Sequence, residues 1–125
     1  MVKLKLFFSW QSDVKDNHEK IGDALRKVCD DIRSEGKYDI VYDESTWARS
    51  GSPVIEDVVL EKIQKCDLFV ADLTPVATTS KKDFPNPNVM YELGMAKSSM
   101  TDDVILMLYT GTIDTNRMPF DINHK

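Results

Sequence analysis

Residues 67–96 read DLFVADLTPVATTSKKDFPNPNVMYELGMA and carry the two signals that decide the fold. The segment begins with a short apolar run at 68–71, which is typical of a strand buried on both faces of a sheet. It ends with Asn86-Pro87-Asn88, which predicts a helix start: Asn suits the N-cap, and Pro at the first helical position gives up an amide that would have no partner there. The segment therefore predicts one strand–loop–helix unit of an α/β protein.

The helix predicted after Asn86 carries an acidic residue beside its apolar stripe. Val89, Leu93 and Ala96 follow one another at spacings of four and three, which places them on one face. Glu92 lies on the edge of that stripe, in the first turns of a helix entered from the carboxyl end of a strand, where α/β proteins bind ligands. Glu92 is therefore the candidate catalytic acid, although the spacing alone is equally compatible with a solvated helix glutamate.

Strands and helices alternate along the chain. Strands are predicted at residues 3–8, 38–42, 68–71 and 104–109, and residues 110–125 show no periodicity. A first helix begins near Asp16 or Asn17 and ends at Gly36, and a second begins at Pro53. This alternation predicts a parallel sheet with helices on both faces and right-handed crossovers. The predicted buried faces of these two helices are Ile21, Ala24, Leu25, Val28 and Ile32, and Ile55, Val58, Val59 and Ile63.

Length and composition limit the classes of protein. The chain has 125 residues, so we expect one domain over 1–125, and four strands are few enough to suggest a fold cut down after the fourth strand or the leading domain of a longer protein. The net charge of −5 and the lack of a basic stripe argue against nucleic acid as the main partner. No apolar run approaches the roughly 20 residues that span a bilayer, so we expect no membrane contact in this segment.

The two cysteines favour a cytoplasmic protein. Cys29 and Cys66 both fall inside apolar patterns, which favours two reduced thiols over a disulfide. Neither the cysteines nor the two histidines have the spacing of metal ligands, so we expect no metal site.

Three loops are expected to meet at the carboxyl edge of the sheet. Each is longer or more polar than a simple connection requires. They span residues 9–16, 43–53 and 73–87. The first two carry the only tryptophans, Trp10 and Trp47, and the second also carries Arg49. The glycine-rich dinucleotide fingerprint, the P-loop and the G-x-S-x-G nucleophile elbow are all missing from the sequence, which argues against those classes.

What remains is a lone carboxylate with aromatic and polar loop residues around it. Such a set suits cleavage of a glycosidic bond, because one carboxylate can stabilise an oxocarbenium-like transition state, hydrogen-bond the ribose hydroxyls or attack the sugar carbon. Nicotinamide leaving a ribose fits well, since its ring is already cationic and needs no general acid. The predicted substrate-binding residues are Phe8, Ser9, Trp10, Asp43, Trp47, Arg49, Asp72 and Asn88.

These residues offer different contacts. Phe8, Trp10 and Trp47 can stack on flat rings, and Arg49 can pair with a phosphate. Anchoring of a loop or capping of a turn is the alternative role for Ser9, Trp47, Arg49, Asp72 and Asn88.

Four segments together resemble a TIR domain, and more narrowly the TIR-like domains of bacterial antiphage-defence proteins. They are Phe7-Phe8-Ser9-Trp10, Gly51-Ser52-Pro53, Cys66-Asp67-Leu68-Phe69-Val70-Ala71-Asp72 and Asn88-Val89-Met90-Tyr91-Glu92-Leu93-Gly94. The resemblance covers about residues 3–110 in the same order. It implies a flavodoxin-like three-layer sandwich and, in many members, cleavage of NAD+ to nicotinamide and an ADP-ribose product. NAD+ is then the substrate, and no separate cofactor is implied.

The resemblance also implies roles for individual residues. Glu92 matches the family's catalytic glutamate on the third helix, and Ser9 and Trp10 match the loop after the first strand. Residues 45–52 match the loop that gates the pocket and makes assembly contacts. Many NAD+-cleaving members have an aromatic residue four positions before the glutamate, where this chain has Asn88. The family further implies self-association through TIR–TIR contacts, controlled by a sensor domain or partner protein.

Two other interpretations stay open. The segment around Glu92-Leu93-Gly94 also resembles nucleoside 2-deoxyribosyltransferases, whose glutamate attacks a sugar C1′ in the same fold. Those enzymes usually have an Asp and a Gly-Thr just before the helix, where this chain has Pro87-Asn88. The third interpretation is a TIR adaptor that self-associates and transmits a signal without catalysis, although adaptors often lack the glutamate.

Overall fold

Four parallel strands form the central sheet of this computed structural model, which describes residues 1–44 and 53–119 apart from the side chains of residues 53–56. The elements in chain order are β1 (Val2–Ser9), α1 (Asn17–Ser34), β2 (Tyr38–Glu44), α2 (Pro53–Lys65), β3 (Leu68–Asp72), β4 (Ala77–Thr78), β5 (Asp83–Phe84), α3 (Pro87–Ser99) and β6 (Ile105–Leu108). The sheet order is β2-β1-β3-β6. The predicted α/β fold with a central parallel sheet, consistent with a flavodoxin-like sandwich, is confirmed.

Helices cover the two faces of the sheet unequally. α1 packs on one face, over core side chains that include Leu6, Phe8 and Val70. α2 and α3 pack against each other on the opposite face, over Phe7 and Phe69. The predicted apolar stripe of α3 is buried in this second core. None of the helices in the described part of the chain is long and apolar enough to cross a membrane.

The order of the strands reverses between β1 and β3. β2 lies along one edge of β1, from the pair Val2–Tyr38 to the pair Phe8–Glu44. β3 lies along the other edge, from Leu6–Leu68 to Ser9–Ala71. Ligands of open parallel sheets bind outside the carboxyl ends of the strands at such a reversal. The ends of β1 and β3 are therefore where the fold offers a ligand site.

The predicted loop 73–87 contains an antiparallel hairpin that the sequence did not indicate. β4 and β5 have only two residues each, too few to produce a recognisable alternation of polar and apolar residues. The Arg117 guanidinium holds this hairpin by donating to Thr78 Oγ1 at 3.0 Å, to the carbonyl of Thr79 at 2.7 Å and to Asp83 Oδ1 at 3.1 Å. The hydrogen bond from Arg117 lowers the pKa of Asp83 below its usual range.

Several residues predicted to be buried are exposed. Ala24 and Val28 of α1 face solvent, and Val58 of α2 is 42% exposed. β6 is shorter than the predicted strand 104–109, and its Leu106 is 52% exposed. Ala24 and Val28 are exposed because α1 is the only described helix on its face of the sheet. Leu106 is exposed because β6 is an edge strand, and Val58 lies beside the other edge strand, β2. The side chain of Ile55, also predicted to be buried, lies outside the described residues.

The two cysteines carry free thiols in different environments. Cys29 is buried on the inner face of α1, and Cys66 is half-buried with its Sγ donating to the carbonyl of Ile63 at 3.1 Å. Burial raises the pKa of both thiols, and together with the nearby Asp67 carboxylate it raises the pKa of Cys66 to about 11.

A matched pair of valines tests the packing of α2. Val59 is 2% exposed and Val58 is 42% exposed, on adjacent positions of one helix. We expect Val59→Ala to lower the free energy of unfolding by about 2 kcal/mol, through lost burial and the cavity left behind. Val58→Ala should change it by less than about 0.5 kcal/mol. Urea denaturation followed by circular dichroism measures both, and equal losses would contradict the placement of α2.

Alkylation kinetics test the environment of Cys66. Only the thiolate reacts with iodoacetamide, so the rate follows the thiolate fraction. Because the pKa of Cys66 is raised to about 11, its alkylation rate in the native protein should still be increasing at pH 10. The same cysteine in a short peptide should reach its plateau near pH 9 or a little above. Mass spectrometry of the modified tryptic peptide gives both rates, and a plateau at the same pH in protein and peptide would contradict the burial.

Candidate functional site

A buried carboxylate and a buried hydroxyl meet at the carboxyl end of β1. Ser9 is the last residue of β1, Glu92 lies on α3, and neither has any exposed surface. The Ser9 hydroxyl donates a hydrogen bond to Glu92 Oε1 at 2.6 Å. The burial excludes the alternative of a solvated helix glutamate, and the sequence position at the edge of the apolar stripe explains why Glu92 points inward.

The start of α3 is built as the sequence predicts. Asn86 is the N-cap, and its side-chain oxygen accepts hydrogen bonds from the backbone amides of Asn88 at 2.8 Å and Val89 at 3.3 Å. Pro87 occupies the first helical position. Asn88 is exposed, and the capping contact is made by its backbone. Because Val89 and Leu93 are anchored in the core, the cap and the stripe together set the direction in which Glu92 points.

A second carboxylate, Asp72 at the end of β3, is completely buried and receives four hydrogen bonds. Its Oδ1 accepts from the backbone amide of Thr74 at 3.0 Å and from the Thr74 hydroxyl at 2.6 Å. Its Oδ2 accepts from Gln11 Nε2 and from Asn17 Nδ2, both at 3.1 Å. Asp72 therefore caps the turn after β3, as its position suggested, and its oxygens are occupied by protein donors.

The same network reaches the loop after β6. The Thr110 amide donates to Thr74 Oγ1 at 2.9 Å, and the Thr110 hydroxyl donates to Asn17 Oδ1 at 3.2 Å. Four members of this network are not among the site residues predicted from the sequence: Gln11, Asn17, Thr74 and Thr110. The only local indications of this network were the polar character of the loop 9–16 and the expected helix start near Asn17. Neither of them predicts which distant residues form the hydrogen bonds.

Trp10 and Phe8, both predicted to stack on a flat ring of the substrate, lie in different environments. The Trp10 ring, half-buried, stacks on His18 with centroids 3.7 Å apart and planes at 10°. His18 Nε2 lies 2.9 Å from Glu44 Oε2, which also accepts from the Tyr42 hydroxyl at 2.8 Å. Phe8 has no exposed surface and belongs to the core under α1. Phe8 therefore offers no ring face to a ligand in this conformation, because alternation along β1 points it into the core.

Two exposed or half-buried aspartates tie the loops to their neighbours. Asp43, near the end of β2, accepts a hydrogen bond from the amide of Glu44 at 2.8 Å and lies 3.3 Å from the Lys62 ammonium. Asp13 Oδ2 accepts from Asn86 Nδ2 at 2.6 Å, which joins the loop 9–16 to the start of α3. Trp47, Arg49 and the rest of the predicted gating loop 45–52 lie outside the described residues.

The carboxyl edge of the sheet therefore holds two buried carboxylates, one that accepts a hydrogen bond from a hydroxyl and one that joins the loops. Ser9 restrains Glu92, while Asp72 holds the surrounding loops together. No group of three or more His, Cys, Asp or Glu within residues 1–44 and 53–119 is placed to hold a metal ion. A carboxylate at such a buried, low-dielectric position can stabilise a nearby positive charge more strongly than it could in water.

Comparison with known proteins does not assign the chain to a family. No protein-family model matches the chain, and a search of curated proteins finds no match.

The Asp72 network makes a stability prediction. We expect Asp72→Ala to lower the free energy of unfolding by about 3 kcal/mol or more, because it leaves the buried donors of Gln11, Asn17 and Thr74 without an acceptor. Asp13→Ala removes an exposed carboxylate and one exposed hydrogen bond, and it should change stability little. Guanidinium denaturation of both variants provides the comparison. Similar midpoints for Asp72→Ala and wild type would show that the network is dispensable.

Proposed function

We propose that this chain is an NAD+ glycohydrolase in which Glu92 is the catalytic carboxylate at the nicotinamide–ribose bond. The observation that carries the proposal is the pair formed by Glu92 and Ser9, buried together where the strand order reverses. The TIR-like order of sequence segments supports the choice of NAD+ as the substrate. It also supports a role as an effector domain in antiphage defence.

Burial of Glu92 suits the chemistry. As the bond to nicotinamide breaks, positive charge develops on the ribose C1′ and O4′, and a nearby carboxylate stabilises that charge more strongly in a low-dielectric site than in water. Nicotinamide leaves as a neutral ring, so no general acid is required. Water, or a hydroxyl of the substrate itself, then forms a bond to C1′ and releases its proton to solvent.

Ser9 has a positioning role in this proposal. Its hydroxyl holds Oε1 of Glu92 at 2.6 Å, which restricts rotation of the carboxylate before substrate binds. When a ribose enters, its hydroxyl groups compete for the same oxygen. Trp10 directly follows Ser9, and it lies on the loop 9–16 that borders the space outside the carboxyl ends of β1 and β3, which we call the crevice.

Access to Glu92 requires movement, since its side chain has no exposed surface. The contacts that hold the bordering loop at its outer side include the exposed Asp13–Asn86 hydrogen bond and the Trp10–His18 stack. We place the control of activity here: self-association of the domain, driven by a sensor domain or partner protein, shifts the loops toward an open and competent state.

Nicotinamide release from NAD+ tests the proposal. The protein is assayed at high concentration with a crowding agent, and nicotinamide is quantified by chromatography. Glu92→Gln keeps an acceptor oxygen for Ser9 but removes the charge, so we expect the rate to fall at least about a hundredfold. Ser9→Ala, which removes only the positioning hydrogen bond, should lower the rate by about tenfold.

The matched control is Glu35→Gln. Glu35 is exposed at the carboxyl end of α1, which is the opposite end of the sheet from Ser9, and its substitution should leave the rate unchanged. Clustered, folded wild type that releases no nicotinamide would contradict the proposal. Base exchange with deoxynucleosides would then identify a nucleoside 2-deoxyribosyltransferase, and the lack of both reactions would favour a non-catalytic TIR adaptor.

A further inference from the structure

Two apolar grooves lie at opposite edges of the central sheet. The β6 groove, about 250 Å³, lies between α1 and β6 and is lined by Val28 and Leu106, which are 50% and 52% exposed. The β2 groove, about 360 Å³, lies between α2 and β2 and is lined by Val41 and Val58, which are 39% and 42% exposed. Contiguous apolar surface of this kind can serve as an interaction site.

Each groove contains one charge without an ion-pair partner. In the β2 groove, Lys62 pairs with Asp43 and Lys65 pairs with Glu61, while the Lys5 ammonium has no ion pair with any described residue. In the β6 groove the acid is Asp103. It accepts a hydrogen bond from the Thr101 hydroxyl and forms no ion pair within the described parts of the chain. The two grooves are therefore complementary in charge.

The register of the sheet places these two charges at the same height. Leu6 pairs with Leu68, so Lys5 is level with Asp67. Phe69 pairs with Ile105, so Asp103 is also level with Asp67. A neighbouring copy whose strands run in the same direction therefore brings its Lys5 to the height of Asp103.

The faces of the sheet are also compatible with this arrangement. Lys5 and Phe7 alternate onto the face covered by α2, so the β2 groove opens on that face. Leu106 pairs with Val70, which belongs to the core under α1, so the β6 groove opens on the other face. Because the grooves lie on opposite faces at opposite edges, two copies related by a translation can overlap, so that the β6 edge of one copy lies against the β2 edge of the next. A two-fold contact of one groove with itself would instead bring like charges together.

We propose that the β6 groove of one copy docks on the β2 groove of a second copy, with Asp103 facing Lys5 of its neighbour. Such a head-to-tail contact leaves one groove open at each end, so it continues to further copies. The inference rests on the self-association part of the proposed function and specifies its surfaces. Ser9 lies four residues beyond Lys5 along β1, about 13 Å at the rise of a strand, so the docked surfaces leave the crevice uncovered.

Sedimentation velocity without NAD+ tests the contact. We expect the weight-average mass of the wild-type protein to rise with concentration, from micromolar to near-millimolar, and to pass beyond that of a dimer. Lys5→Glu and Asp103→Lys should each weaken association by roughly tenfold or more, because each places like charges across the contact. The double variant Lys5→Glu with Asp103→Lys reverses both charges and should restore association.

Two further variants keep the test decisive. Leu106→Gln removes apolar burial from the β6 groove and should weaken association, whereas Lys20→Glu, at an exposed position of α1 outside both grooves, should not. Circular dichroism confirms that each variant is folded. A monomer at all concentrations, a mass that stops at a dimer, or a double variant that fails to associate would overturn the proposal.

The readout separates this inference from the proposed activity. Sedimentation reports mass in the absence of substrate, so association with the predicted charge rescue supports the contact even if no nicotinamide is released. Conversely, nicotinamide release that depends on Glu92 but is unaffected by Lys5→Glu, in a protein that remains monomeric, supports the activity and overturns the contact.

Discussion

The Asp72 carboxylate is the constraint on which the carboxyl edge of the sheet depends. Its four hydrogen bonds join the loop after β1, the first turn of α1 and the turn after β3, and Thr74 and Asn17 extend the connection to the loop after β6. These segments share no secondary structure with one another, so their relative positions depend on side-chain contacts. Burying a carboxylate is unfavourable unless its oxygens accept hydrogen bonds. Only an arrangement of the loops that supplies all of these donors is stable, and this makes the arrangement specific. Because Gln11 is held in this network, Ser9 is fixed from both sides, by β1 and by the loop that follows it.

The contacts that hold the loops at the carboxyl edge of the sheet differ in how far they are exposed to solvent. Asp72 and its partners are buried, whereas the Asp13–Asn86 hydrogen bond is exposed and the Trp10–His18 stack is half-buried. Exposed polar contacts contribute little to stability. The outer contacts are therefore easier to break than the Asp72 network, which keeps the loops attached to the sheet. Under the proposed function, a buried and an accessible Glu92 would be two states of the same scaffold, and whatever favours the open state would control the activity.

The unequal covering of the sheet leaves the two apolar grooves on which the proposed assembly rests. α2 and α3 share one face, whereas α1 alone covers the other within the described residues, and the flank of α1 toward β6 is open. The strand order reverses between β1 and β3, which end at Ser9 and Asp72, and the same order leaves β2 and β6 as the edge strands. The crevice lies at the ends of the strands and the grooves lie along their sides. The substrate site and the contact between copies that we propose are therefore on separate surfaces of one sheet.

The sequence by itself determined the features that depend on local geometry. The apolar run of β3, the Asn86 cap, the Pro87 helix start and the stripe of α3 all follow from residues within a few positions of one another. They place Glu92 at the edge of that stripe, where its side chain could be buried or solvated, and the structure shows that it is buried. Only the tertiary structure decided that Ser9 is its hydrogen-bond partner, that Gln11, Asn17 and Thr110 gather around Asp72 and Thr74, and that Val28, Val58 and Leu106 are exposed. Periodicity reports which side of a helix or strand is apolar, but burial depends on whether another element covers that side, and hydrogen bonds between distant residues depend on how the strands are ordered.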